Sequence, residues 1–200
     1  FRSFDPERGT QYEIGVKADI NDRLSATLAL FDLTRSNVTT SDPDNSFFSI
    51  QTGEQKSQGV ELDISGEILP GWNIITGYAY TDARVTEDNS IPEGNRLRNS
   101  PEHALNLWTT YRIQEGDLKG LGVGLGFNYL SERPGDLDNT FELPSFFRTD
   151  AAVFYEQDKF RAALNFRNLF DIDYFASARS RTRVDPGAPF TVQGEISWRF

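Results

Sequence analysis

Apolar and polar side chains alternate along the last eleven residues of the chain. One set consists of Phe190, Val192, Gly194, Ile196, Trp198 and Phe200, and the other of Thr191, Gln193, Glu195, Ser197 and Arg199. A repeat of two residues predicts a β-strand with one apolar and one polar face. An apolar face that ends in aromatic residues, opposite a charged face, is typical of a β-barrel strand in a lipid bilayer.

The same alternation recurs in eight earlier segments of the chain. They are 12–20, 24–30, 58–68, 72–80, 105–113, 121–129, 147–155 and 160–166. Together with 190–200 they predict nine strands, which are longer than the ~5–6 residues typical of globular sheets. A tilted membrane crossing needs about 9–11 residues per strand. We therefore predict an all-β protein, a transmembrane antiparallel β-barrel, in preference to a soluble β-sandwich.

Short and long connections alternate strictly between these segments. Short turns lie near 21, 70, 116 and 157, and long loops span 37–50, 85–101, 133–144 and 171–189. Outer-membrane barrels show this asymmetry, with short periplasmic turns and long outer loops. Bacterial single-chain barrels have an even number of strands, and an open edge in lipid would leave backbone groups unpaired. We therefore expect the nine strands to be part of a larger barrel.

This orientation predicts two girdles of outward-facing aromatic residues, one at each bilayer surface. The periplasmic girdle comprises Trp72, Tyr111, Tyr155, Phe160, Trp198 and Phe200, and the outer girdle comprises Tyr12, Tyr80, Tyr129, Phe147 and Phe190. The opposite face is expected to be a solvated polar wall around the lumen. Its charged residues are Glu13, Lys17, Asp19, Glu61, Asp63, Glu67, Arg161, Arg167, Glu195 and Arg199.

Composition narrows the functional classes. A net charge of −10 and a pI near 4.6 argue against nucleic-acid binding, which requires a basic surface. A mean hydropathy of −0.51 and the lack of a long apolar run exclude a membrane-spanning helix, but alternating faces cancel in such an average. The absence of Cys excludes thiolate metal sites and disulfides. The chain has no Met and no leader-like segment, so we expect a mature or truncated piece.

Six short motifs resemble one protein family. They are Gln11-Tyr-Glu-Ile-Gly-Val-Lys17, Ser57-Gln-Gly-Val-Glu-Leu-Asp63, Gly77-Tyr-Ala-Tyr80, Asn99-Ser-Pro-Glu-His103, Asn165-Phe-Arg-Asn-Leu-Phe-Asp171 and Pro186-Gly-Ala-Pro-Phe190. In order and spacing they resemble the C-terminal part of TonB-dependent siderophore receptors, most closely the ferrichrome type. The resemblance implies that residues 1–200 are the last nine strands of a 22-stranded barrel. It also implies a plug domain inside that barrel, a ferric siderophore as transported ligand, and energy from TonB.

The resemblance further implies that an aromatic side chain of the last loop contacts the siderophore. Tyr174 and Phe175 are the candidates in this loop, but Arg179, Arg181 and Arg183 follow them. Guanidinium groups suit carboxylates, so we predict an anionic siderophore of the citrate-hydroxamate type rather than ferrichrome itself. Two alternatives are ion pairs with the acidic residues of the same loop and contacts with lipopolysaccharide phosphates. Those acidic residues are Asp171, Asp173 and Asp185.

Other aromatic residues are weaker candidates for the ligand site. Phe47, Phe48 and Phe141 could form an aromatic pocket, but they equally fit self-packed loops or anchors at the membrane rim. Trp108 is predicted to face the lumen, where it either lines the path or packs against the plug. The alternating glycines of 120–126 are expected to let a plug or neighbouring chain approach, because the segment lacks the Lys and helix of a phosphate loop.

The single histidine leaves little room for catalysis. His103 would have to be the base of a Ser-His-acid hydrolase, and one histidine excludes a multi-histidine metal site. The family resemblance implies a transporter, and we expect it to have no cofactor and no enzymatic activity. Its predicted partners are the ferric siderophore, TonB, its own plug and outer-membrane lipid. The alternatives are a passive porin or substrate-specific channel, an outer-membrane enzyme, and a secreted soluble β-protein.

Overall fold

The computed structural model describes residues 4–45 and 47–199, which form thirteen β-strands. The strands are β1 (Arg8–Asn21), β2 (Leu24–Ser41), β3 (Ser49–Leu69), β4 (Trp72–Glu87), β5 (His103–Arg112), β6 (Leu121–Leu130), β7 (Arg133–Pro134), β8 (Glu142–Leu143), β9 (Phe146–Gln157), β10 (Phe160–Arg167), β11 (Phe175–Ser180), β12 (Arg183–Pro186) and β13 (Thr191–Trp198). None of the described residues belongs to a helix that could cross a membrane. Phe200, which the sequence places in the periplasmic girdle, lies outside the described residues.

Nine of the strands form one antiparallel sheet in which neighbours in sequence are neighbours in space. The order is β1-β2-β3-β4-β5-β6-β9-β10-β13. This confirms the prediction of nine long strands joined as successive hairpins. β1 and β13 are the two edges of the sheet. The remaining strands form two small hairpins, β7-β8 and β11-β12, within long connections.

The first long loop is shorter than the sequence predicts. β2 continues to Ser41 and β3 begins at Ser49, so half of the loop predicted at 37–50 is strand. β4 likewise continues to Glu87, beyond the predicted loop start at 85. The extra residues include Thr39 and Thr40, which favour strands but do not alternate with apolar residues. The alternation is lost there because the buried position is polar: Thr40 is 5% exposed and its Oγ1 donates to Asp88 at 2.7 Å.

The strand register confirms the assignment of the two faces. Ile14 pairs with Leu30, Leu30 with Val60, and Val60 with Tyr80, so apolar residues share one face across four strands. Aromatic residues also pair directly on this face. The pairs are Trp72 with Tyr111 and Phe160 with Trp198 near the short turns, and Tyr129 with Phe147 near the long loops. Trp198 is 60% exposed, as expected for a face that contacts lipid rather than a protein core.

Glycines on the polar face of β6 accommodate large rings from neighbouring strands. A Cβ atom on Gly124 would lie 2.7 Å from the indole of Trp108, and one on Gly126 would lie 2.6 Å from it. Phe154 covers Gly122 in the same way. These glycines therefore make room for rings of this chain, whereas the sequence suggested approach by a plug or another chain. As predicted, Trp108 lies on the polar face, flat against the sheet.

Candidate functional site

Four connections project from one end of the sheet, opposite the short turns. We call them loop 1 (42–48), loop 2 (88–102), loop 3 (131–145) and loop 4 (168–190). Loop 3 contains the β7-β8 hairpin and loop 4 contains the β11-β12 hairpin. Most of the candidate ligand residues lie in loops 3 and 4, so the arrangement of these loops determines the site.

Asn99 connects loop 2 to the β11-β12 hairpin. Its side-chain Nδ2 donates to the carbonyl of Ala178 at 2.8 Å, and its Oδ1 accepts from the amide of the same residue at 2.8 Å. The amide side chain thus pairs with β11 as a neighbouring strand would. Asn99 has a φ of 59°, a conformation that Asn tolerates better than most residues. One residue earlier, Arg98 donates from Nη1 to the carbonyl of Arg179 at 3.3 Å.

Arg133 connects loop 3 to the same hairpin. Its Nη2 donates to the carbonyls of Phe175 at 2.7 Å and Ala176 at 3.2 Å, and its guanidinium lies 5.6 Å from the centre of the Phe146 ring. The residue is only 1% exposed, and burial lowers the pKa of its guanidinium. Its Nη1 has no hydrogen-bond partner among the described residues. A buried cation therefore holds the start of β11 through backbone carbonyls rather than through a carboxylate.

Loops 2 and 3 are joined by a second asparagine. Asn139, with φ of 53°, accepts from the amide of Arg96 and donates to its carbonyl, both at 2.9 Å. Asp136 caps the same turn by accepting from Thr140 Oγ1 at 2.6 Å and from the Thr140 amide at 2.8 Å. Burial alone raises the pKa of Asp136, but these hydrogen bonds and nearby Arg181 outweigh it and lower the pKa overall.

The base of loop 4 is fixed by a fully buried asparagine. Asn168 donates from Nδ2 to the carbonyls of Ile172 at 2.9 Å and Ala188 at 3.1 Å, and accepts from the amide of Ile172 at 3.0 Å. Beside it, the ring of Tyr174 packs 4.6 Å from Phe146 and its hydroxyl accepts from Arg148 at 3.2 Å. Tyr174 thus has a packing role in loop 4, and Phe175 is half exposed where β11 begins.

The structure brings two predicted site residues together. The guanidinium of Arg181 lies 5.8 Å from the centre of the Phe141 ring, and its Nε donates to Thr140 Oγ1 at 3.0 Å. Arg179 and Arg183 are exposed, and their side chains form no hydrogen bond or ion pair with other described residues.

The acidic residues that the sequence suggests as partners of these arginines do not pair with them in the described chain. Asp185 accepts from Ser177 Oγ at 2.7 Å and Asp171 from the amide of Phe190 at 2.7 Å. Within the described ranges, neither of them nor Asp173 forms an ion pair with the three arginines. The alternative reading of internal ion pairs in loop 4 therefore has no support from the geometry.

Other predicted residues do not join this site. Phe47 is 95% exposed at the tip of loop 1 beside the exposed Phe48, and neither ring meets Phe141 in the described chain. Phe141 covers Gly135 of its own loop. Trp108 lies on the wall near the short turns, where it lines a cavity of about 280 Å³. Arg112, Phe154, Glu156 and Arg161 also line this cavity.

The described residues contain no arrangement suited to hydrolysis or to metal binding. His103 lies on the apolar face, where its Nδ1 is 2.9 Å from the hydroxyl of Tyr78 and its ring is 5.3 Å from that of Tyr80. In the part of the chain that the structure describes, no three His, Cys, Asp or Glu side chains are grouped to hold a metal ion. His103 is therefore one of the aromatic residues at the rim.

The sequence does not reveal that Arg133 and Asn139 hold the loops together, nor that Asn99 and Asn168 do so. Asn99 and Asn168 lie within motifs that suggest the family, and their place in these motifs is the one sequence signal of their importance. Arg133 and Asn139 lie in a segment predicted only as a polar loop. Nothing in their local sequence distinguishes a buried connector from a solvated side chain.

Comparison with known proteins agrees with the fold. Residues 2–169 match the family described as TonB dependent receptor-like, beta-barrel. The metal-pseudopaline receptor of Pseudomonas aeruginosa is 41% identical over 191 residues, which are 94% of this chain and 27% of that protein. The ferrichrome outer membrane transporter/phage receptor of Escherichia coli K12 is 36% identical over 203 residues, 98% of this chain and 27% of that protein.

A solved structure gives the same result. The siderophore receptor PiuA from Acinetobacter baumannii superposes with a TM-score of 0.85 at 32% identity, over 98% of this chain and 29% of that one. The chain thus spans about a quarter of the length of the curated relatives that it matches. The chain belongs to the TonB-dependent receptor β-barrel family, whose members are outer-membrane receptors and transporters rather than enzymes.

Proposed function

We propose that residues 1–200 form the last nine strands and the adjoining outer loops of a receptor that imports ferric siderophores. The rest of a 22-stranded barrel, a plug domain and a TonB-contacting segment belong to the same proposal. Relatives named as receptors for metal-pseudopaline, ferrichrome and ferrioxamine B support it. No observation favours a passive porin.

The ligand that best fits loop 4 is an anionic ferric siderophore of the citrate-hydroxamate type. The supporting observation is the pair of exposed arginines, Arg179 and Arg183, that have no partner among the described residues. A guanidinium binds a carboxylate through two parallel hydrogen bonds, which gives both charge attraction and a fixed geometry. Arg181, seated over Phe141, adds a third cation and an aromatic surface beside it.

The three arginines of loop 4 contrast with the acidic net charge of the chain. Its net charge is −10, so its general field repels anions. Recognition of an anionic ligand therefore needs a local group of cations at the end of the sheet that carries loops 1 to 4, which we call the loop end. In this proposal Tyr174 supports loop 4 through its contacts with Phe146 and Arg148, and Phe175 borders the site. Phe47 and Phe48 lie apart from it at the tip of loop 1.

The test is equilibrium binding of a ferric citrate-hydroxamate complex to the full-length receptor. We expect joint replacement of Arg179, Arg181 and Arg183 by Gln to weaken binding by about 100-fold, since each lost charge-assisted contact is worth ~1 kcal/mol or more. The control is Arg23→Gln, an exposed arginine at the opposite end of the sheet whose Nη1 already pairs with Glu67 at 2.6 Å. Unchanged affinity in the triple variant would refute the anionic ligand.

Dependence on TonB needs a separate measurement. We expect cells that carry the full-length receptor to accumulate the iron complex only when TonB is present. Equal uptake without TonB would indicate a passive channel instead.

A further inference from the structure

The β11-β12 hairpin cannot hold its own shape without outside contacts. β11 has six residues and β12 has four, and their register is irregular between Phe175 and Ser177 and again between Ala178 and Ser180. Isolated two-stranded hairpins are at best marginally stable in water. Its conformation therefore depends on what binds the other edge of β11.

That other edge is bound by side chains from loops 2 and 3, and no strand in the described chain pairs with it. Arg133 binds the carbonyls of Phe175 and Ala176 at one end of β11, and Asn99 binds both backbone groups of Ala178 further along. Ala178 is fully buried at this contact. Two distant loops thus fix the strand at both ends.

The exposed arginines lie directly beyond these contacts. Arg179 follows Ala178, and Arg183 lies across from Ser180 on β12. Shifts of β11 would change the distance between the two guanidinium groups and their direction. A ligand with several carboxylates gains affinity when its partners are already held in place, because less conformational freedom is lost on binding.

We infer that Asn99 and Arg133 are positioning residues, which hold Arg179 and Arg183 at the spacing that an anionic ferric complex requires. This inference rests on the proposed function. Neither residue contacts the ligand itself: Arg133 is buried, and Asn99 directs both polar atoms of its side chain to Ala178.

The test variant is Asn99→Gly in the full-length receptor. Glycine accepts a φ of 59° without strain, so the substitution removes the two side-chain hydrogen bonds and leaves the backbone conformation accessible. The control is Asn37→Gly, which has the same φ of 59° and loses a hydrogen bond from Nδ2 to the carbonyl of Pro6 at 3.1 Å, outside loops 2 to 4.

Two measurements are made on each protein. The first is the rate of trypsin cleavage after Arg179, Arg181 or Arg183, followed by mass spectrometry. The second is the affinity for a ferric citrate-hydroxamate complex and for ferrichrome as an uncharged comparison. We expect Asn99→Gly to speed cleavage and to weaken binding of the anionic complex, each by about tenfold. Ferrichrome affinity and both properties of Asn37→Gly should stay within about twofold of wild type.

A cycle with Arg179→Gln and Arg183→Gln distinguishes positioning from general damage. Once both arginines are neutral, Asn99→Gly should have no further effect on binding of the anionic complex. Equal losses for both ligands, or an unchanged loss in the neutral background, would contradict positioning. An unchanged cleavage rate in Asn99→Gly would also contradict positioning, and so would faster cleavage with unchanged affinity for the anionic complex.

If the proposed function is wrong, the binding measurements give a different result. In that case the wild-type receptor does not bind the anionic complex, or binds it equally well without its three loop 4 arginines. The positioning role then falls with it, whatever the cleavage rates are.

Discussion

The wall of strands and the loop end are held together by different interactions. In the wall, each strand is fixed along its length by backbone pairing with a neighbour that is adjacent in sequence. At the loop end, β11 and loops 2 and 3 are fixed by a few side chains that bind backbone groups as much as 81 positions away. The wall therefore tolerates most single changes, whereas the loop end depends on individual residues.

The largest effect is expected from removing the buried cation at the loop end. Arg133→Met keeps much of the side-chain volume but removes the donor to the carbonyls of Phe175 and Ala176. We expect opening of loops 3 and 4 to become easier by about 3 kcal/mol, because hydrogen bonds from charged groups are worth ~1.5–3 kcal/mol. Hydrogen exchange of backbone amides in the full-length receptor measures this.

The contrast between the two regions would be lost if strand amides changed as much as loop amides. We expect the backbone amides of β5 and β6 in Arg133→Met to exchange at the wild-type rate. Arg23→Met, which changes an exposed arginine at the short turn between β1 and β2, is the matched control. Wild-type exchange throughout loops 3 and 4 of Arg133→Met would show that Arg133 does not hold them.

A smaller effect is expected where the wall depends on the close packing of Trp108 against Gly126. Gly126→Ala puts a methyl group 2.6 Å from the indole of Trp108, so the ring must move. We expect a loss of about 1–2 kcal/mol in the free energy of unfolding, which is typical of overpacking. Urea unfolding of the receptor in lipid or detergent provides the measurement.

Gly194→Ala on β13 is the control for this prediction. The nearest atom to its new Cβ is 3.8 Å away, on Leu164, so no ring has to move. Combining Gly126→Ala with Trp108→Ala should remove the penalty of the first change. Equal stability of Gly126→Ala and Gly194→Ala would mean that Trp108 does not depend on the glycines.

The smallest effect concerns the acid that caps the turn of loop 3. Because the folded protein lowers the pKa of Asp136, its contribution is complete above the ordinary value of 3.8 and is lost as the pH falls below it. We expect Asp136→Asn to weaken the turn by about 0.5 kcal/mol, since exposed charges are screened by solvent. The variant should also abolish the acid-dependent part of the loop's opening.

Exchange of the Thr140 amide, measured from neutral to acidic pH, tests this point. In wild type its protection should fall at low pH, whereas in Asp136→Asn it should be lower at neutral pH and less dependent on acid. Identical pH profiles in the two proteins would exclude the cap.

The sequence predicted the wall far better than the loop end. The nine strands and their two faces follow from alternation, because a residue such as Val192 or Glu195 meets either lipid or the interior. The loop predicted at 37–50 is wrong for 37–41, which is strand although it lacks alternating apolar residues. Trp108 was assigned to the correct face, but its seat on Gly124 and Gly126 depends on the pairing register of β5 with β6.

For the ligand candidates too, the sequence indicates which residues matter but not how they are arranged. The resemblance places a ligand contact in the last loop, and the arginines of loop 4 follow from it by residue type; their role stays a prediction. Their arrangement could not be found in this way: Arg181 lies against Phe141, while Phe47 and Phe48 lie apart at the tip of loop 1. Contacts between loops join residues without any regular spacing in the sequence.

By itself, the sequence determined which residues form strands, which face each of them takes, and to which family the motifs point. These properties are local, since a strand directs successive side chains to opposite sides and each side meets a different environment. Only the tertiary structure decided that Asn99 and Arg133 hold the β11-β12 hairpin and that Arg179 and Arg183 stay exposed. Those facts arise from contacts between separate loops, whose positions are set by the pairing of the whole sheet beneath them.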